Sequence, residues 1–149
     1  GHDKFKNNVS ESDAKAIIEV RVPAQVDDAA GKTEASTVLE KSDTVAIYGS
    51  NEFAAKAIIN ANGSFKESKL GADKILAVGF DSGALQQDAI RNGLFVGSVT
   101  QDPIQIGYQS VKLAIEAAQG KEVKDVDTGS KWYDAKNIDS DEIKPLLYQ

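Results

Sequence analysis

Ile75-Leu-Ala-Val-Gly-Phe-Asp-Ser-Gly83 is the stretch on which the fold turns. Its apolar run is strand-sized and breaks into a carboxylate at Asp81. It then leads into a helical pattern from Gly83 or Ala84 to Asn92, stopped by Gly93. The same arrangement occurs twice more. Thr44-Val-Ala-Ile-Tyr-Gly-Ser50 runs into Asn51 and a helix from about Glu52 to Asn62, stopped by Gly63. Phe95-Val-Gly-Ser-Val-Thr100 runs into Gln101, and Asp102-Pro103 opens a helix that continues to Gln119 and stops at Gly120. Strand–helix alternation at these lengths predicts an α/β fold. It implies right-handed crossovers and a mostly parallel open sheet flanked by helices on both faces. Asn51, Asp81 and Gln101 then line the carboxyl edge of the sheet, where open α/β sheets bind ligands. Two amides and a carboxylate can together donate and accept hydrogen bonds, which is what a polyol demands.

Working outward, Ala16 to Val22 reads as a further strand closed by Pro23. Asp27 or Asp28 caps a helix to about Lys41, with Gly31 a weak point that costs about 1 kcal/mol against alanine. Ser64 to Lys74 is polar and reads as a surface connection. Val123 to Tyr133 looks extended. Ser140 or Asp141 is placed to cap a short final helix, Glu142 to Tyr148, in which Pro145 limits regularity. Tyr48 and Phe80 are expected in the core, and Trp132 and Tyr133 in the packing of the returning tail. Asn51 and Asp81 also fit simple helix N-caps, Asp81 for the segment beginning at Ser82; a cap and a ligand contact can coexist. Gln101 has no capping role.

The composition narrows the function. A length of 149 residues suits one domain, and a net charge of −6 offers no basic stripe for nucleic acid. The apolar runs are too short to span a membrane. Cysteine is absent and the single histidine is His2, which excludes disulfides, zinc–thiolate sites and a histidine-based triad. No Gly-x-Gly-x-x-Gly or Walker-type loop follows a strand, so no nucleotide cofactor is expected. Asp81 lacks a second catalytic partner, which weighs against an enzyme. Asn8-Val-Ser10 and Asn62-Gly-Ser64 match the glycosylation acceptor pattern but are too short to be informative. Gly1-His2 and the absence of methionine read as a processed or recombinant fragment.

Gly79-Phe-Asp-Ser-Gly83, Gln87-Asp-Ala-Ile-Arg-Asn-Gly93, Thr100-Gln-Asp-Pro103 with Ile106-Gly-Tyr108, and the tail Asp127-Thr-Gly-Ser-Lys-Trp-Tyr-Asp134 with Asn137-Ile-Asp139 together resemble a known family. It is that of the periplasmic sugar-binding proteins of bacterial ABC transporters, of the ribose-binding type, and the likeness lies in the carboxyl-terminal lobe from about Phe5 onward. The resemblance implies a type I periplasmic binding protein fold, a Rossmann-like lobe, a monosaccharide or similar polyol as ligand and a membrane permease as partner. It implies a periplasmic or extracellular location, as a tethered lipoprotein in a Gram-positive cell. It also implies that Asn51, Asp81 and Gln101 bind the sugar, the same three residues that strand geometry selects. Where the family often carries an aromatic residue, this chain has Gln25, which can substitute a hydrogen bond. By the same likeness, residues 1–149 form most of the carboxyl-terminal lobe. Residues 102–120 are then a helix that crosses the hinge, and 123–149 the returning tail. The amino-terminal lobe and the first, central strand of this lobe are then missing, and the fragment is expected to self-associate or to need a separate chain. The Val-Gly-Phe-Asp element is shared with sugar-responsive transcription repressors, whose effector domain is the alternative reading.

Overall fold

The computed structural model describes residues 18–148. Four strands form one sheet in the order β1 (Ala46–Tyr48), β2 (Leu76–Phe80), β3 (Gly97–Gln101) and β4 (Ser130–Tyr133). The first three run parallel and β4 is antiparallel to β3. The helices are α1 (Asp28–Leu39), α2 (Glu52–Asn62), α3 (Ala84–Arg91) and α4 (Pro103–Ala118). The three parallel strands, and the helix that follows each, lie where the apolar runs and breakers place them.

Three of the four helices begin at a side-chain cap. The Asp27 carboxylate accepts the Ala30 amide at 2.8 Å, Asn51 Oδ1 accepts Ala54 at 2.9 Å, and Asp102 accepts Gln105 at 2.9 Å. Gly93 and Gly120 end α3 and α4 with φ of 70° and 73°, the left-handed stop expected of them. Gly63 ends α2 differently, at φ −65°, so that α2 simply unwinds into a turn. Gly31 is not a weakness of α1. A Cβ there would stand 2.9 Å from the Phe53 ring, so its absence lets α1 lie close on α2.

The pairing register divides the sheet into two unequal faces. Ile47, Ala77, Gly79, Ser98, Thr100 and Tyr133 share one face, and all but the half-buried Ile47 are buried. The core continues from there through Ala55, Ile58, Ala61, Ile90 and Phe95 to Ile138 and Ile143 in the tail. The opposite face carries Ala46, Tyr48, Leu76, Val78 and Phe80, none of them buried. Tyr48 is 58% exposed, against its expected place in the core, and Phe80 is half-buried. The expectation of a sheet covered on both faces therefore holds for one face only.

Residues 18–22 form no strand, and Ile18, Val20 and Val22 are exposed; Ala16 and Ile17 lie outside the described residues. The physical reason is the lack of a partner among the described residues: β1 is the edge of the described sheet on that side, and an extended segment without a ladder gains nothing from its apolar residues. Asn8-Val-Ser10 also lies outside the described residues. Asn62 is buried, and its Oδ1 accepts the Lys69 and Leu70 amides at 2.8 and 3.3 Å, so it is engaged inside the fold rather than offered to a glycan. That contact also pins the 64–74 connection, whose Leu70 is buried although the segment reads as surface. The tail makes turns and a single 3-10 turn, Lys144–Leu146, in place of the expected helix over 142–148. Pro145 and the long-range contacts described below hold it in that form.

Candidate functional site

Asn51, Asp81 and Gln101 lie at the carboxyl ends of the adjacent parallel strands β1, β2 and β3. Asn51 is the N-cap of α2. Its Oδ1 is spent on Ala54, whereas its Nδ2 makes no hydrogen bond among the described residues. Gln101 ends β3, and its side-chain amide is equally unengaged there. Asn51 and Gln101 therefore keep donors to offer at the edge.

Asp81 does not cap its own helix. The N-cap of α3 is Gly83, with no side-chain cap. The Asp81 Oδ2 instead accepts the Glu52 amide at 3.0 Å, the backbone N–H next to Asn51, at the start of α2. This contact joins the ends of β1 and β2, and the helix N-terminus favours the negative charge. Oδ1 accepts nothing among the described residues and is left as a charged acceptor. Asp81 has φ 76°, the one non-glycine residue in the left-handed region among those described. Aspartate tolerates that region better than most side chains but at some cost.

Residues that the sequence did not single out lie behind this one. The Asp81 carbonyl accepts hydrogen bonds from the Tyr133 hydroxyl at 2.8 Å, from Ser98 Oγ at 2.9 Å and from Gln86 Nε2 at 3.3 Å. The tail closes on the same corner. Ser82 Oγ and Thr100 Oγ1 donate to the Leu146 carbonyl at 3.2 and 3.3 Å, and Gln87 Nε2 donates to Ser82 and Tyr148 carbonyls at 2.7 and 2.8 Å. Burial raises the Tyr148 phenol, a hydrogen bond with the Ser82 backbone opposes this, and the charges of Asp81 and Glu52 add to the rise. Only the alternating pattern Gly97-Ser-Val-Thr100, with its small polar residues on the buried face of β3, hinted at such a network. Gln25 lies exposed in the bend before α1, and no hydrogen bond joins it to the other three among the described residues. Trp132 is partly exposed, its indole N–H donating to Asp134 at 3.2 Å, while Tyr133 is fully buried, in keeping with a packing role for the tail.

Two measurable consequences follow. Asn51→Ser keeps an N-cap acceptor but loses Nδ2, so the melting temperature should stay close to that of the parent while ligand affinity falls. Asn51→Ala should also cost about 1 kcal/mol of stability. Equal affinity of Asn51→Ser and the parent would reduce Asn51 to a cap. Burial, the largest cause, pushes the Tyr133 phenol up from 10.0 to about 12; the Ser98 hydrogen bond opposes the rise. A raised folded-state value means that the folded chain holds its proton longer. The contribution to stability is then fully present below about pH 10 and is lost as pH rises through about 12. Chemical denaturation across that window should show falling stability, and Tyr133→Phe should flatten part of the slope.

Among the described residues no cluster of His, Asp or Glu could hold a metal, and no helix is long and apolar enough to cross a membrane. The arrangement offers acceptors and donors without a nucleophile–base pair.

Residues 3–122 match the family described as periplasmic binding protein domain. No curated protein sequence matches the chain. Among solved structures, a protein of Brachyspira murdochii described as an ABC transporter, LacI family transcriptional regulator, is similar at TM-score 0.77 and 41% identity, over 88% of this chain and 43% of its own. An ABC transporter solute-binding protein of Agrobacterium vitis with bound D-fucose is similar at TM-score 0.77 and 26% identity, over 92% of this chain and 48% of its own. A carbohydrate transporter solute-binding protein of Agrobacterium radiobacter, in complex with D-arabinose, is similar at TM-score 0.67 and 26% identity, over 78% of this chain and 40% of its own. The chain spans less than half the length of each of these structures.

Proposed function

The chain belongs to the periplasmic binding protein family, and from that premise we propose that it forms the sugar-gripping lobe of a receptor that delivers a monosaccharide or similar polyol to an ABC-transporter permease. The observation that carries this is the edge itself: on neighbouring strand ends, the Asn51 Nδ2 donor, one Asp81 carboxylate oxygen and the Gln101 amide make no hydrogen bond among the described residues. Sugar hydroxyls both donate and accept, and this set meets both needs. Gln25 is assigned to the rim of the site. The receptor binds without chemistry, since no catalytic partner stands beside Asp81 among the described residues. It works in the periplasm or outside the cell, as the family implies, anchored as a lipoprotein if the cell is Gram-positive.

The similar structures with bound D-fucose and D-arabinose are solute-binding proteins, which favours transport over the repressor reading. A second lobe closes the cleft in this proposal. In support, α4 buries none of its residues, and Ile104, Tyr108, Val111 and Ile115 are exposed along it. One wall cannot bury a polyol and exclude water, so this chain alone should bind sugar poorly and self-associate through its uncovered apolar surface. The test is a thermal-shift screen of the intact receptor against a sugar panel containing D-fucose and D-arabinose, with light scattering of the isolated chain. The expected result is a clear stabilisation by at least one monosaccharide and oligomers of the isolated chain. An intact receptor that no monosaccharide stabilises would overturn the function. A stable monomer of this chain with micromolar sugar affinity would overturn the two-lobe proposal.

A further inference from the structure

Asp81 holds a left-handed backbone conformation, and its carbonyl is gripped by side chains from three different elements: Ser98 of β3, Tyr133 of β4 and Gln86 of α3. We propose that this three-donor clamp positions the Asp81 carboxylate for ligand, making Tyr133, Ser98 and Gln86 determinants of affinity although none of them lies at the binding edge. The proposal rests on the reading of Asp81 as a sugar ligand.

The geometry favours a dedicated device over incidental packing. A carbonyl at the end of a parallel strand would ordinarily be served by backbone or water. Here three side chains converge on it, and two of them, Ser98 and Tyr133, are fully buried. Gln86 is 1% exposed and directs Nε2 at the Phe80 carbonyl, 2.8 Å away, as well as at Asp81. Its Oε1 is buried without a partner among the described residues, a costly arrangement in which the amide is turned so that its donors serve the corner. Gly79 makes room for the clamp: a Cβ there would stand 2.8 Å from Gln86 Nε2 and 2.9 Å from Ser98 Oγ. With the peptide plane held from behind, the side chain is directed to the α2 N-terminus, where Oδ2 meets the Glu52 amide at 3.0 Å and Oδ1 remains open. Residues that only filled the core would not need hydroxyls at 98 and 133.

The test is a double-mutant cycle in the intact receptor, with D-fucose as the probe and calorimetry as the readout. Tyr133→Phe removes one oxygen and keeps the ring, so the fold survives. It should weaken D-fucose binding roughly five- to tenfold, and Ser98→Ala should do the same. In an Asp81→Ala background neither change should weaken binding further, because the group they position is gone. A purely structural role would lower the melting temperature equally in both backgrounds and leave affinity intact, which would overturn the clamp. If Asp81→Ala itself leaves D-fucose binding unchanged, the site reading fails and the clamp fails with it. A crystal structure of the Tyr133→Phe, Ser98→Ala double variant needs no ligand. There Asp81 should leave the left-handed region, and an undisturbed Asp81 with positive φ overturns the proposal.

Discussion

Asp81→Asn in the intact receptor should weaken monosaccharide binding by at least about tenfold while leaving the fold intact. Asparagine tolerates the left-handed backbone at φ 76° as well as aspartate does, and its Oδ1 can still accept the Glu52 amide. What it loses is the charge on the acceptor. Hydrogen bonds to a charged group contribute about 1.5–3 kcal/mol against about 1 for neutral pairs, so the substitution removes roughly the surplus of one or two such bonds. Asp81→Ala should lose more, since it removes the acceptor altogether and also places a residue that disfavours φ 76° at the corner. Calorimetric titration with the best sugar of the panel measures both. Asp81→Asn with parental affinity would mean that the carboxylate serves α2 alone.

Ile90→Ala should be the most damaging of the simple core truncations near the site. Ile90 is 0% exposed and belongs to the core cluster, one helical turn beyond Gln86 on α3. Removing its side chain leaves a cavity among close-packed neighbours and should cost about 2–5 kcal/mol. For a domain of this size that lowers the melting temperature by roughly 5–15 °C. Truncating the exposed Val111 on α4 should cost the isolated chain far less, because that side chain is 62% exposed and has little packing to lose. Equal losses at the two positions, by denaturant titration of the chain, would contradict the division into a packed face and an uncovered helix. Ile90→Ala should also weaken sugar binding secondarily, through loss of the α3 support under Gln86.

The strands at 46–48, 76–80 and 97–101, the helix that follows each, and the helix starts at Asn51 and Pro103 are all legible in the residues. Apolar runs of strand length, caps and left-handed glycine stops are local signals that act within one turn or one strand. The same locality made the edge residues legible: a polar side chain at the break of each apolar run must sit at the carboxyl end of that strand if the strands run parallel. Asp81 shows where that legibility stops. From the chain, it reads as a ligand residue that also fits a cap for its own helix; in the fold, its carboxylate accepts the first amide of the neighbouring helix, because the parallel pairing of β1 and β2 brings the Glu52 amide within 3.0 Å.

The residues that hold Asp81 could not be read locally. Ser98, Tyr133 and the Leu146 carbonyl meet the Asp81–Ser82 corner across separations of 17, 52 and 64 residues, and nothing in the local pattern around any of them reports the others. Residues 18–22 form no strand for the converse reason. Their alternating apolar residues have the right local character, but a strand exists only if another strand lies beside it, and among the described residues β1 has no neighbour there. Local chemistry thus determined where strands end and which side chains stand at those ends. Pairing partners, the choice of buried face and the clamp on Asp81 were decided by contacts distant in sequence, since hydrogen-bond geometry between elements is a property of their packing.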